Sequence, residues 1–450
     1  MKKLVVIGGS DAGISGALRA KEVDPQVEVS VVVADQYPNF SICGLPFYLS
    51  GEVKDWKTLA HRTAADIEKE GIRLLLNHTA GAIDPDKKQV RLIDKNGNST
   101  ALDYDRLLIG TGAVSVEPGI EGLRLPGVFT LRWMDDSFAM QRFLTEQNPK
   151  SAIIIGAGYI GMEMADALTY KGLKVTVVEY LDSVLTTVDP ELGHLVQAQL
   201  ERNGVVVNTG VAVEKIERND KGLTVRGSGG FFAAADTVLV AVGARPESKL
   251  AQTAGIETGM NNAIKVNRRM QTSLPDIYAA GDCVETWHKL LQKYTYMPLG
   301  STAHKQGRVA GENIAGGDAV FQGTLGTQAV KIFGMVVAGT GLRDASAREA
   351  GFDPLTVETE CWDHKVYYPG AHKMRIRMTG DRISRRILGA QIMGHVSSEV
   401  SKRVDVVATA IFNELKVEDL NDIDLSYTPP LSSPWDPVQI ASQAWCKNNK

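Results

Sequence analysis

The sequence predicts an α/β chain built from two Rossmann-like dinucleotide-binding domains and a C-terminal α+β domain. Three observations carry that prediction. A β-branched strand, a glycine-rich turn and a helix occur in succession twice, at Gly8 and again at Gly156. Each of these units leads to a second strand ending in an acid, so that a helix N-terminus can take a pyrophosphate and the acid a ribose. From about residue 323 the composition shifts to short β-rich segments. A length of 450 residues agrees, since it exceeds one compact core and suggests about three domains.

Lys3 to Gly8 reads as a buried strand, and Gly8-Gly9-Ser10-Asp11-Ala12-Gly13 turns it into a helix. Gly8 permits the tight turn and Gly13 close helix–strand packing, leaving the N–H groups around Ser10, Asp11 and Ala12 for a pyrophosphate. The next strand, Glu28 to Val33, ends near Asp35, 22 residues beyond Gly13, where a carboxylate would hold an adenosine ribose. Cys43 follows in Pro38-Asn39-Phe40-Ser41-Ile42-Cys43-Gly44-Leu45-Pro46, at the start of a predicted helix. No second cysteine stands four to six residues on, so a redox-active Cys43 would work alone, as a sulfenic acid or a mixed disulfide. A helix over Thr63–Glu70, a strand over Ile72–Leu76 and a hairpin about Asn96-Gly97 come next. Tyr104 to Ala113 is a buried strand ending in the small-residue turn Thr111-Gly112.

The second fingerprint is complete: strand Ser151–Ile155, then Gly156-Ala157-Gly158-Tyr159-Ile160-Gly161, then helix Met162–Tyr170. Strand Lys174–Val178 ends at Glu179, 18 residues beyond Gly161. Glutamate there suits the ribose hydroxyls of NADH and repels a 2′-phosphate, and Tyr180-Leu181-Asp182 brings no arginine. NADH is favoured, with NADPH possible through a more distant cation. Tyr159 is a gate over the nicotinamide site in this reading, and Glu163 a polar contact beside it. A meander is predicted over 205–235, after which Asp236 to Pro246, with Gly243 in its turn, returns the chain to the first domain. Ile277 to Asp282 reads as a strand ending in Gly281-Asp282, with Asp282 on the ribityl hydroxyls of FAD. The helix over Ser301–Ala310, with Ala303 in its first turn, would aim its amides at the flavin ring. The predicted domains are 1–112 with 247–322 for FAD, 113–246 for NAD(P)H, and 323–450. In the last, five strands precede a helix over Val400–Glu414 and an ordered, proline-rich loop from Tyr427 to Pro437.

Composition narrows the function classes. A formal net charge of −4 gives no electrostatic reason to expect nucleic acid or an anionic membrane as partner. No run of 18 apolar residues occurs. The four cysteines, Cys43, Cys283, Cys361 and Cys446, fit neither zinc spacing nor a secreted disulfide framework, so no metal is expected and a reducing cytoplasm is the default. Cys283 reads as a packed small residue and Cys446 as a frayed terminal thiol.

Taken together, the two fingerprints, the Tyr104–Ala113 crossover and the Ile277–Asp282 strand resemble the pyridine nucleotide-disulfide oxidoreductase family over essentially the whole chain. The lone Cys43 resembles the subgroup of coenzyme A-disulfide reductases, NADH oxidases and NADH peroxidases. That resemblance implies FAD, a nicotinamide nucleotide and a homodimer whose C-terminal domain forms the interface. It also implies that Tyr427, and Tyr367 or Tyr368, reach the other subunit's Cys43. Two departures stand out. The first glycine loop of the oxidases and peroxidases carries a histidine where this chain has Asp11, which counts against oxygen or peroxide as acceptor. Coenzyme A-disulfide reductases often read S-F-x-N-C, where this chain reads Asn39-Phe40-Ser41-Ile42-Cys43.

The expected chemistry is transfer of electrons from NADH through FAD to a small disulfide or persulfide, with coenzyme A a candidate thiol, at Cys43. A helix N-terminus and the flavin would lower the Cys43 pKa. Tyr427 of the partner would hydrogen-bond the leaving thiolate or protonate it, and Arg19, Arg62 and Lys57 are candidates for coenzyme A phosphates. The rival readings are an oxidase reducing oxygen or peroxide and a flavoprotein scaffold that senses redox state.

Overall fold

Leu4, Val5, Val6 and Ile7 are all buried, so both faces of their strand, Lys3–Ile7, are covered, as in a parallel sheet packed between layers. The computed structural model describes residues 2–220 and 222–449. Met1, Lys221 and Lys450 lie outside the described residues, Lys221 within the meander predicted over 205–235. Lys3–Ile7 is the central strand of a five-stranded parallel sheet in the order Ile277–Ala279, Arg106–Ile109, Lys3–Ile7, Glu28–Val33, Ile72–Leu76. A second five-stranded parallel sheet runs Val206–Asn208, Lys174–Val178, Ser151–Ile155, Thr237–Val240, Val128–Phe129. An antiparallel pair, Ala113–Ser115 with Ala244–Pro246, carries the chain out to the second sheet and back. The central strands of both sheets end at their glycine loops, so the two loops open onto common space.

Two helices fix the first loop. Asp11–Val23 and Gly300–Ile314 cross so closely that a side chain at Gly307 would strike the Ala12 carbonyl, and one at Gly311 the Gly16 carbonyl. Glycine is required there by backbone-to-backbone approach, which brings the N-terminal turns of both helices together. The C-terminal sheet is antiparallel in the order Gln328–Ile332, Met335–Gly341, Ile387–His395, Lys373–Asp381, Pro354–Trp362. Helix Val400–Phe412 packs on it through Val400, Val404, Val407 and Ile411.

Most predicted elements recur, with informative differences. The helix of the second fingerprint starts at Tyr159 rather than Met162, because Gly158 is already its N-cap. The predicted hairpin gains a third strand, His78–Asp84, whose alternation is too irregular to announce itself. The proline-rich segment leads into a helix, Pro437–Asn448, started by an Asp436 capping box and anchored by the fully buried Trp445. Cys446 therefore lies in a packed helix, which corrects the expectation of a frayed thiol. Cys283 is buried against the carbonyls of Ala280 and Ile109, as a packed small residue.

Candidate active site

Both glycine loops open onto a single cavity of about 1600 Å³. Gly8, Ser10, Asp11, Ala12, Asp35, Cys43, Thr111, Gly112, Gly281, Asp282 and Ala303 line one part of it. Gly156, Gly158, Tyr159, Ile160, Glu163, Glu179 and Gly243 line another. Gly13 and Gly161 do not line it. Each sits inside its helix against the carbonyl of its loop's first glycine, Gly8 or Gly156, so these two serve packing rather than contact. Tyr367, Tyr368 and Tyr427 also stay outside the cavity, on the C-terminal domain, with 71%, 44% and 45% of their surface exposed.

Cys43 lies on a single 3-10 turn, Ile42–Gly44, ahead of the short helix Leu45–Ser50. It is exposed and lines the cavity. The protein raises the Cys43 thiol pKa: burial acts first, then the carboxylates of Glu163, Asp11 and Asp282, against a smaller opposing pull from Arg132. Within the chain alone, the lowering expected from the helix N-terminus does not appear: the helix is six residues long and led by a 3-10 turn, and three carboxylates oppose it. The Glu163 carboxyl is itself pushed up to about 7, by burial first, which Lys331 only partly offsets. Lys331 is occupied elsewhere, donating to Asp166 at 2.9 Å.

The predicted acids already have partners. Glu179 accepts from the backbone N–H groups of Ala157, at 2.6 Å, and Leu181, at 2.8 Å. Asp35 accepts from the Tyr37 N–H at 2.8 Å, and burial raises its pKa. Arg132, which sequence reasoning missed, donates to Asp282 at 2.8 Å and to the Ala113 carbonyl at 3.0 Å. His61 and His304 also line the cavity and were missed, since neither sits in a glycine motif. Arg19, a candidate for coenzyme A phosphates, is tied to Glu22 and Glu312, both at 2.8 Å.

The family description "Pyridine nucleotide-disulphide oxidoreductase" matches residues 2–307, and its dimerisation domain matches 327–437. The chain belongs to this family. It is 34% identical over 443 residues to a protein of Methanocaldococcus jannaschii named NADH oxidase, covering 98% of each chain. A Pyrococcus horikoshii protein named NAD(P)H coenzyme A polysulfide/persulfide reductase is 33% identical over 445 residues, again with 98% of each covered. The solved NAD-dependent persulfide reductase from A. fulgidus superimposes with a TM-score of 0.95 at 38% identity, over 99% of this chain and 83% of that one.

The protein is accordingly an FAD-dependent oxidoreductase that draws on a nicotinamide nucleotide. Its residues fit both groups. Neither Ser10 nor Gly158 caps its helix through a side chain, so first-turn N–H groups remain free for phosphate. Gly158 and Gly243 face the cavity with no protein atom within 4 Å of where a Cβ would stand. Among the described residues no helix is long and apolar enough to cross a membrane.

Proposed function

We propose that the enzyme reduces a small disulfide or persulfide, of the coenzyme A or polysulfide class, through Cys43 as its only redox-active cysteine. One observation carries this reading: Cys43 lines the cavity shared by both glycine loops, whereas Cys283, Cys361 and Cys446 do not. A thiol so placed can attack a disulfide on one side and be regenerated from the other. When bound, FAD supplies two-electron relay between the nicotinamide and the cysteine. The chain's own groups do the rest. Glu179 orients a ribose and favours NADH, Tyr159 screens the nicotinamide side, and Arg132 fixes Asp282 for the ribityl chain.

We assign the exposed aromatic group Trp362, Tyr367, Tyr368, Tyr427 and Trp435 to a homodimer contact that brings Tyr427 toward the other subunit's Cys43. The match of residues 327–437 to a dimerisation domain supports this assignment. The Tyr367 and Tyr427 hydroxyls already interact within one chain, so these two rings are presented together. Reduction of oxygen or peroxide is the second reading, favoured by similarity to the M. jannaschii protein.

Anaerobic NADH consumption with CoA disulfide, polysulfide and cystine offered separately tests both. Fast turnover with one acceptor, lost in Cys43→Ser, is the expected result. Turnover that waits for oxygen and survives Cys43→Ser would sink the disulfide reading and leave an oxidase.

A further inference from the structure

The first glycine loop carries Asp11 and no histidine, yet an imidazole stands in the same cavity, supplied by another element. His304 comes from helix Gly300–Ile314 and lines the cavity with Cys43. Its Nε2 is 3.2 Å from Asp11 Oδ1, and its Nδ1 is 2.8 Å from Ser15 Oγ. Asp11 and Ser15 lie one turn apart on helix Asp11–Val23, so the two contacts fix the ring between them. The glycine contacts at Gly307 and Gly311 hold the helices close enough for this.

We propose that His304, oriented by Asp11 and Ser15, is the acid that protonates the thiolate expelled when Cys43 attacks a disulfide. The inference rests on the disulfide reading above. The step balances on the chain itself: the Cys43 thiolate forms a new S–S bond to one sulfur, and the substrate S–S bond breaks. The expelled sulfur keeps the electron pair and takes a proton from the imidazolium, leaving neutral His304.

Three features suit the ring to this task. Asp11 Oδ1 is buried beside Nε2 with no other hydrogen-bond partner, so its charge is directed at the ring. The Asp11 contact raises the His304 pKa, outweighing burial and the opposing charge of Arg62. The groups facing the ring are Asp11 and Ser15 from one helix, with His61 (ring centroids 6.1 Å apart) and Arg62 from the loop opposite. A protonated His304 also offsets Asp11, one of the carboxylates that disfavour the Cys43 thiolate. Tyr427 cannot substitute within one chain, being outside the cavity.

The test uses the flavin-loaded enzyme with two disulfides, CoA disulfide and a nitroaryl disulfide whose thiolate leaves without protonation. His304→Asn, at matched flavin absorbance, is expected to lose about 100-fold in kcat with CoA disulfide and little with the nitroaryl compound. Because the Cys43 thiol titrates above His304, the rising limb of wild-type turnover of CoA disulfide should level off past the His304 pKa, which lies above the ordinary imidazole value of about 6.5. In Asp11→Asn that levelling should move to lower pH. Equal loss with both disulfides, or loss with neither, overturns the proposal and leaves the disulfide reading intact. So does turnover that requires an added divalent cation and is abolished by a chelator. A wild-type enzyme inert toward both disulfides overturns the disulfide reading and this proposal with it.

Discussion

Cys43 and Glu163 illustrate how little a single residue's chemistry follows from its type. A cysteine in such a motif is read as a low-pKa nucleophile, yet burial and three carboxylates push this one upward. Glu163 is the largest of the charge contributions, ahead of Asp11 and Asp282. Replacing it with glutamine removes that repulsion, so Cys43 in Glu163→Gln should begin to react with iodoacetamide at lower pH than in the wild type. The shift expected is about one pH unit or less, since burial remains the main cause. An unchanged or upward-shifted alkylation profile would show that the Glu163 carboxylate does not act on the thiol. Cys43, Asp11, Glu163 and Asp282 were all candidates from the sequence, and all four line the cavity. Their mutual electrostatics were not legible there, because the distances among them are set by four separate segments of the fold.

At the scale of elements, the two aromatic loops of the C-terminal domain are held by one buried cation. Arg403, only 7% exposed, donates to the carbonyls of Asp363 at 2.8 Å and Leu431 at 3.3 Å, and pairs with Asp436 at 3.1 Å. Asp436 in turn caps helix Pro437–Asn448 and accepts from Ser432 at 2.9 Å. The loops that present Tyr367 and Tyr427 therefore share one anchor. Arg403→Ala leaves a buried carboxylate unpaired and should cost about 3–5 kcal/mol in urea unfolding. Arg403→Lys should recover only part, because an ammonium cannot serve the two loop carbonyls and Asp436 in one planar fork. A loss near zero in the alanine variant would mean the loops are fixed by other contacts. From the sequence, the tail's aromatic content predicted order, but its anchor, Arg403, lies outside it on helix Val400–Phe412.

For the molecule as a whole, the hairpin Thr286–His288 with Lys293–Thr295 is a joint. Leu290 and Leu291 in its turn pack against Leu342 and Leu388 of the C-terminal region. His288, 2% exposed, accepts from the Leu291 N–H at 3.3 Å and is held neutral, its pKa pushed down to about 4 by burial and then by Lys293. Between about 6.5 and 4 the unfolded chain binds a proton that the native ring refuses. This contribution to stability is therefore complete above about pH 6.5 and is lost as pH falls toward 4, by up to about 3 kcal/mol. Urea midpoints should drop between pH 7 and pH 5 in the wild type and drop less in His288→Asn. Parallel decline in both proteins would assign the acid sensitivity to other groups.

The sequence by itself determined the two dinucleotide units, their acids and the lone Cys43. Each is written in local terms: β-branched runs of period fitting a covered strand, glycines at fixed offsets, and an acid at the end of the next strand. The tertiary structure alone decided what surrounds the cysteine. His304 meets Asp11 and Ser15 across 289 to 293 residues of chain, through a helix crossing that the lack of a side chain at Gly307 and Gly311 permits. Arg132 meets Asp282 across 150 residues. Charge and proton placement depend on distances in space, and a sequence records only distances along the chain.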